Sequence, residues 1–76
     1  MKTALVTGGA RGIGLATARG LLAEGWQVAL LDRDGAALSA AAERLGDVLA
    51  IEADVSVPDD AGRAVSAVQA RFGRLD

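Results

Sequence analysis

Apolar residues fall along this chain in two kinds of stretch. Short, nearly unbroken runs cover Thr3–Thr7, Gln27–Leu31 and Val48–Glu52. Such runs mark strands buried on both faces, as in a parallel sheet. After each comes a longer stretch in which apolar residues return every three or four positions, the period of a helix. The first helix is expected over about Gly12 to Glu24. Ile13, Ala16, Gly20 and Leu21 fall near one of its faces, and small Ala16 and Gly20 would let it lie close on the sheet. The second spans about Gly35 to Leu45, with Leu38, Ala41, Ala42 and Leu45 as its core stripe. The third carries Ala61, Val65, Val68 and Phe72 on one face before Gly73. The punctuation agrees. Gly25 fits a residue that closes a helix, and Gly46 stops the second one. Ser56 with Asp59 reads as a capping box, and Pro58 suits a first helical turn. Trp26 is placed as a packing residue at the entrance to the second strand. The alternation β-α-β-α-β-α with short connections predicts an α/β architecture, a parallel sheet with right-handed crossovers.

The turn between the first strand and first helix carries the main candidate chemistry. Residues Thr7 to Gly14 read Thr-Gly-Gly-Ala-Arg-Gly-Ile-Gly. A strand feeds a glycine-rich turn, and the turn opens a helix. Backbone N–H groups there point outward, and the helix N-terminus carries partial positive charge. Together they make an anion site suited to a pyrophosphate. Gly8, Gly12 and Gly14 allow a tight turn, close approach of a ligand, and close packing of helix on strand. The Thr7 hydroxyl can bond a backbone group within the turn. Ile13 offers a backbone N–H at the helix start, with its side chain expected in the core. The glycine spacing is not that of a P-loop, since no Gly-Lys-Ser/Thr follows.

Asp32 ends the second strand, and a carboxylate there can accept from both ribose hydroxyls of an adenosine. It would repel a 2′-phosphate, which favours NAD over NADP. The same residue also suits a turn, Asp32-Arg33-Asp34-Gly35.

These residues carry a resemblance. The chain looks like the N-terminal, NAD-binding portion of the short-chain dehydrogenase/reductase family, whose cofactor motif is Thr-Gly-x3-Gly-x-Gly. The resemblance runs over the whole chain. It implies a Rossmann-type doubly wound parallel sheet, of which this is the first β-α-β-α-β-α portion in strand order 3-2-1. It implies that Asp54 accepts from the adenine amino group and that the Val55 backbone contacts the ring. In the family, basic residues at the positions of Arg11 and Arg33 often accompany NADP, against the sense of Asp32. Arg11 could equally sit against the adenosine or pyrophosphate. The sugar-nucleotide epimerases of the extended branch space their glycines differently, and Arg11 stands where their second glycine belongs. Family catalysis rests on a Tyr-x3-Lys pair, a serine and an asparagine. This chain has no tyrosine and no asparagine, and its only lysine is Lys2. No catalytic residue is therefore expected within it.

Composition adds limits. The 76 residues are 51% hydrophobic, ample for a core. They fall well short of the roughly 200 residues such a domain normally needs. The chain reads as residues 1–76 of a single larger Rossmann domain, its dinucleotide-binding half. It stops before the fourth strand, at Arg74-Leu75-Asp76. The remainder of a parent chain, or a symmetry mate, is expected beside the first strand, and the intact protein as a homo-oligomer. A stand-alone, non-catalytic nucleotide-binding or interaction module is the alternative. The net charge is −2 and unclustered, which gives no footing for nucleic acid or an anionic membrane. There is no cysteine or histidine for a metal site or disulfide. Met1-Lys2 leads straight into the first strand with no leader, so a cytoplasmic location is expected.

Overall fold

The computed structural model describes residues 2–73 and 75. Strands β1 (Thr3–Thr7), β2 (Gln27–Asp32) and β3 (Val48–Glu52) alternate with helices α1 (Gly12–Ala23), α2 (Gly35–Leu45) and α3 (Pro58–Phe72). The three strands form one parallel sheet in the order β1-β2-β3. The expected order 3-2-1 names the same neighbours from the opposite edge. Thr3 pairs with Gln27 and Thr7 with Leu31, while Val28 pairs with Val48 and Asp32 with Glu52. Arg74 and Asp76, where a fourth strand was expected to open, lie outside the described residues, as does Met1.

The unbroken apolar run of β2 follows from its central place. Val28, Ala29, Leu30 and Leu31 are all buried, because successive side chains point to opposite faces and both faces are covered. Val28 and Leu30 join Ala18 of α1 with Leu38 and Ala41 of α2. Ala29 and Leu31 join Ile51, Ala53 and, from α3, Ala64 and Val68. Helices thus lie on both sides of the sheet, which makes it doubly wound.

Two helices depart in part from their expected faces. In α1 the residues turned inward are Ala18, Leu15, Leu21 and Leu22, whereas Ile13, Ala16 and Gly20 are exposed. In α3 the buried pair is Ala64 and Val68, and Val65 is exposed. A small residue at position 64 lets the helix approach β2 and β3 closely, and Val65 then turns outward. The α2 stripe is as expected, with Leu38 and Ala41 buried and Leu45 packed beside them.

The ends of the helices set up the site. α1 closes in a Schellman motif: Trp26 N–H donates to the Leu21 carbonyl and Gly25 N–H to that of Leu22, each at 3.0 Å. This leads the half-buried Trp26 into β2 as a packing residue. α2 is capped by Asp34, whose Oδ1 accepts from Ala37 N–H at 3.1 Å. The expected Ser56–Asp59 capping box does not form. The N-cap of α3 is Val57, with Pro58 in the first turn. The reach-back comes instead from Asp60, which accepts from Asp54 N–H at 3.0 Å. Among the described residues, no helix is long and apolar enough to cross a membrane.

Candidate functional site

Thr7, Asp32 and Glu52 stand at the C-terminal ends of the three parallel strands. The loops that leave these ends border a cleft of about 350 Å³. Gly8, Asp32, Arg33, Asp54 and Val55 line it, together with Leu31, Ala53 and Ser56. Half of the residues singled out from the sequence therefore share one cleft. Thr7, Arg11, Gly12, Ile13 and Gly14 do not line it; they form the adjoining turn and the start of α1.

The turn is built as its glycines require. Gly12 has φ +61°, a conformation that side chains rarely adopt. A β-carbon at Gly12 would meet nothing within 4 Å, so this stretch of backbone faces open space. Gly14 answers a different need. A β-carbon there would collide with the Gly8 carbonyl and come within 3.2 Å of Gly9 Cα. The turn also docks on β2, through Gly9 N–H to the Leu31 carbonyl at 3.1 Å. Arg11 is the N-cap of α1 through its backbone alone. Among the described residues no side chain caps this helix, and its first turn holds no acidic residue. The other two helices have Asp34, or Asp59 and Asp60, at their N-termini. The first-turn N–H groups of α1 are thus left for an anion from outside the protein.

Two expectations at this turn need correcting. The Ile13 side chain is 86% exposed, not in the core. It sits on the outer side of the first turn of α1, turned away from the sheet. The Thr7 hydroxyl makes no hydrogen bond within the turn among the described residues. Thr7 is exposed at the end of β1, and the turn is held instead through Gly9 and Ala10.

Asp32 holds the site together. Its Oδ2 accepts from Ala10 N–H at 3.2 Å and its Oδ1 from Asp34 N–H at 3.0 Å. One carboxylate thereby ties the glycine turn to the start of α2. The turn role of Asp32 is realised, and each oxygen keeps capacity for a further donor. Asp54 is arranged in a similar way. Its Oδ1 accepts from Ser56 N–H at 2.9 Å and from the Ser56 hydroxyl at 2.7 Å. The Ser56 hydroxyl, the Ser56 N–H and nearby Arg33 hold its pKa below the ordinary carboxylate value. Its Oδ2 has no partner among the described residues. The Arg11 guanidinium reaches across to the Asp34 carboxylate and pairs with it.

Sequence reasoning passed over three of these residues as members of the site: Asp34, Ser56 and Asp60. Asp34 directly before an alanine-rich helix carries a capping signal, and Asp54-Val55-Ser56 carries that of an Asx-type turn. Asp60 is visible only once α3 has folded back toward Asp54. Among the described residues, no group of histidine, cysteine or carboxylate side chains is placed to hold a metal.

Comparison with known proteins gives this geometry a context. The family model described as short chain dehydrogenase matches residues 2–76. An oxidoreductase of Mycobacterium bovis is 45% identical over 78 residues, covering 99% of this chain and 32% of its own. The human 3-hydroxyacyl-CoA dehydrogenase type-2 is 39% identical over 74 residues, covering 96% of this chain and 28% of its own. Among solved structures, the 3-ketoacyl-(acyl-carrier-protein) reductase of Brucella melitensis complexed with NADH superposes with a TM-score of 0.95 at 38% identity. That match covers 99% of this chain and 31% of the other. The chain thus spans about a third of the length of such relatives, and with the family model matched from residue 2 to residue 76 it belongs to the short-chain dehydrogenase family.

Proposed function

We propose that this chain is the N-terminal, dinucleotide-binding half of a single Rossmann domain. The parent would be an oxidoreductase that interconverts alcohol and carbonyl groups by hydride transfer. The observation that carries the reading is the convergence of Gly8, Asp32, Arg33, Asp54 and Val55 on one cleft beside the uncapped start of α1. A nicotinamide dinucleotide, when bound, supplies the hydride donor or acceptor. The residues of this chain hold its other end. The N–H groups of Gly12, Ile13 and Gly14 serve the pyrophosphate, and the Asp32 carboxylate takes the ribose hydroxyls. Asp54 accepts from the adenine amino group through its open Oδ2, and the Val55 backbone borders the ring. The catalytic residues lie beyond residue 76, in keeping with the third of its relatives' length that the chain spans. NAD is preferred over NADP, because a 2′-phosphate beside the Asp32 carboxylate would cost several kcal/mol. A cytoplasmic protein fits this reading.

The test is the ratio of kcat/KM with NAD to that with NADP in the full-length protein. The wild type favours NAD, and Asp32→Ala removes the preference. A wild type that favours NADP would overturn the assignment of Asp32.

A further inference from the structure

We propose that Asp34 is a specificity-determining residue: it engages the Arg11 guanidinium and thereby biases the cleft against a ribose that carries an additional phosphate. This rests on the reading of the cleft as a dinucleotide site. The ion pair joins residues 23 positions apart, from the glycine turn to the start of α2. Its two side chains are 67% and 46% exposed. An ion pair so open to water adds little to stability, so its consequence is where it puts the guanidinium.

One partner is held before the pair forms. The Oδ1 of Asp34 caps α2 through Ala37 N–H, and its own N–H is bonded to Asp32. Its Oδ2 is left facing Arg11. The other partner has little freedom at its base, since the Arg11 backbone is the N-cap of α1. The guanidinium is therefore kept on Asp34, two residues from Asp32, while its charge is already matched.

A phosphate on the ribose would meet the Asp32 carboxylate and would need cations to offset it. Of the arginines, Arg33 lines the cleft and Arg11 stands in the turn that adjoins it. Arg33 lies in the field of Asp54, and Arg11 is in direct contact with Asp34. Removing the charge at position 34 acts twice in the same direction. It frees a guanidinium already anchored in that turn, and it takes one negative charge away from the incoming phosphate.

Affinities of the full-length protein for NAD and NADP, measured by calorimetry, test this. Asp34→Asn keeps an N-cap residue while removing the charge. It should raise the NADP-to-NAD affinity ratio by up to about fivefold, the range of an exposed charge pair. Asp34→Ser, also a good cap, should change the ratio in the same direction. In an Arg11→Ala background, Asp34→Asn should raise the ratio by less than half as much, because only the loss of the negative charge itself then remains. A ratio unchanged by both Asp34 variants overturns the proposal, as does a gain of equal size without Arg11. A wild type that binds neither dinucleotide would instead overturn the underlying reading of the cleft.

Discussion

Gly12 and Gly14 stand two residues apart and serve different ends. Replacing Gly14 by alanine drives a β-carbon into the Gly8 carbonyl, where backbone meets backbone and nothing flexible can give way. Overpacking of this kind costs about 3 kcal/mol. At Gly12 the added methyl meets no protein atom, and the positive φ alone costs about 1 kcal/mol. The two variants of the full-length protein should therefore separate. Gly14→Ala lowers the thermal midpoint markedly. Gly12→Ala lowers it little but weakens NAD binding, because its methyl occupies the space next to the backbone donors. Equal NAD affinity for Gly12→Ala and wild type would remove the pyrophosphate from this turn. That glycine is needed at these positions was readable from their spacing. That of Asp32 was readable only as two alternatives, ribose ligand or turn residue. Which of its donors come from the protein depends on Ala10 and Asp34 arriving at one carboxylate, and no pattern in the chain encodes that meeting.

At the scale of elements, every strand and helix was readable, while parts of two helix faces were not. α2 has a polar side against which its leucines stand out, so its stripe was unambiguous. In α1 leucine, alanine and glycine occur all round the helix, and only the position of the sheet selects Ala18 over Ala16. In α3 the larger Val65 outweighed Ala64 in the sequence, although close packing on the sheet needs the smaller residue. The helix starts also carry a pH dependence. The Ala37 N–H first, and then Arg11, hold the Asp34 pKa below its ordinary value of 3.8. The Asp54 N–H, and then Arg63, do the same for Asp60. A carboxylate with a lowered folded pKa adds stability that is fully present above the ordinary value and is lost as the pH falls through the lowered one. The gap in urea midpoint between the wild-type full-length protein and its Asp60→Asn variant should therefore stay constant from about pH 8 to about pH 5. It should close as the pH drops below 3.8. A gap that widens in acid would contradict this account of the cap.

At the scale of the whole molecule, the uncovered surfaces are as informative as the core. Among the described residues, β1 pairs with β2 along one edge only. The sequence of β1, Thr3-Ala4-Leu5-Val6-Thr7, contains no charge, proline or glycine to discourage another strand from adding to the other edge. Its Leu5 and Val6 are only half-buried, whereas the apolar residues of β2 are covered throughout. On the helices, α1 exposes Ile13 and Ala16, and α3 exposes Val65. In the relatives, about two thirds of each chain lies outside the match and is available to cover such surfaces. A chain of this length buries only about 60% of its unfolded surface even when complete, which leaves little margin for an open edge. The 76-residue polypeptide, expressed alone, should therefore self-associate and bind NAD weakly, and it should produce no NADH from alcohol substrates. Sedimentation should show species well above 7.6 kDa, without a cooperative thermal transition from a monomer. A monodisperse 7.6 kDa species that melts cooperatively and binds NAD would reverse the conclusion. The uncovered edge would then be tolerated rather than awaiting a neighbour, and the chain would stand as a nucleotide-binding module in its own right.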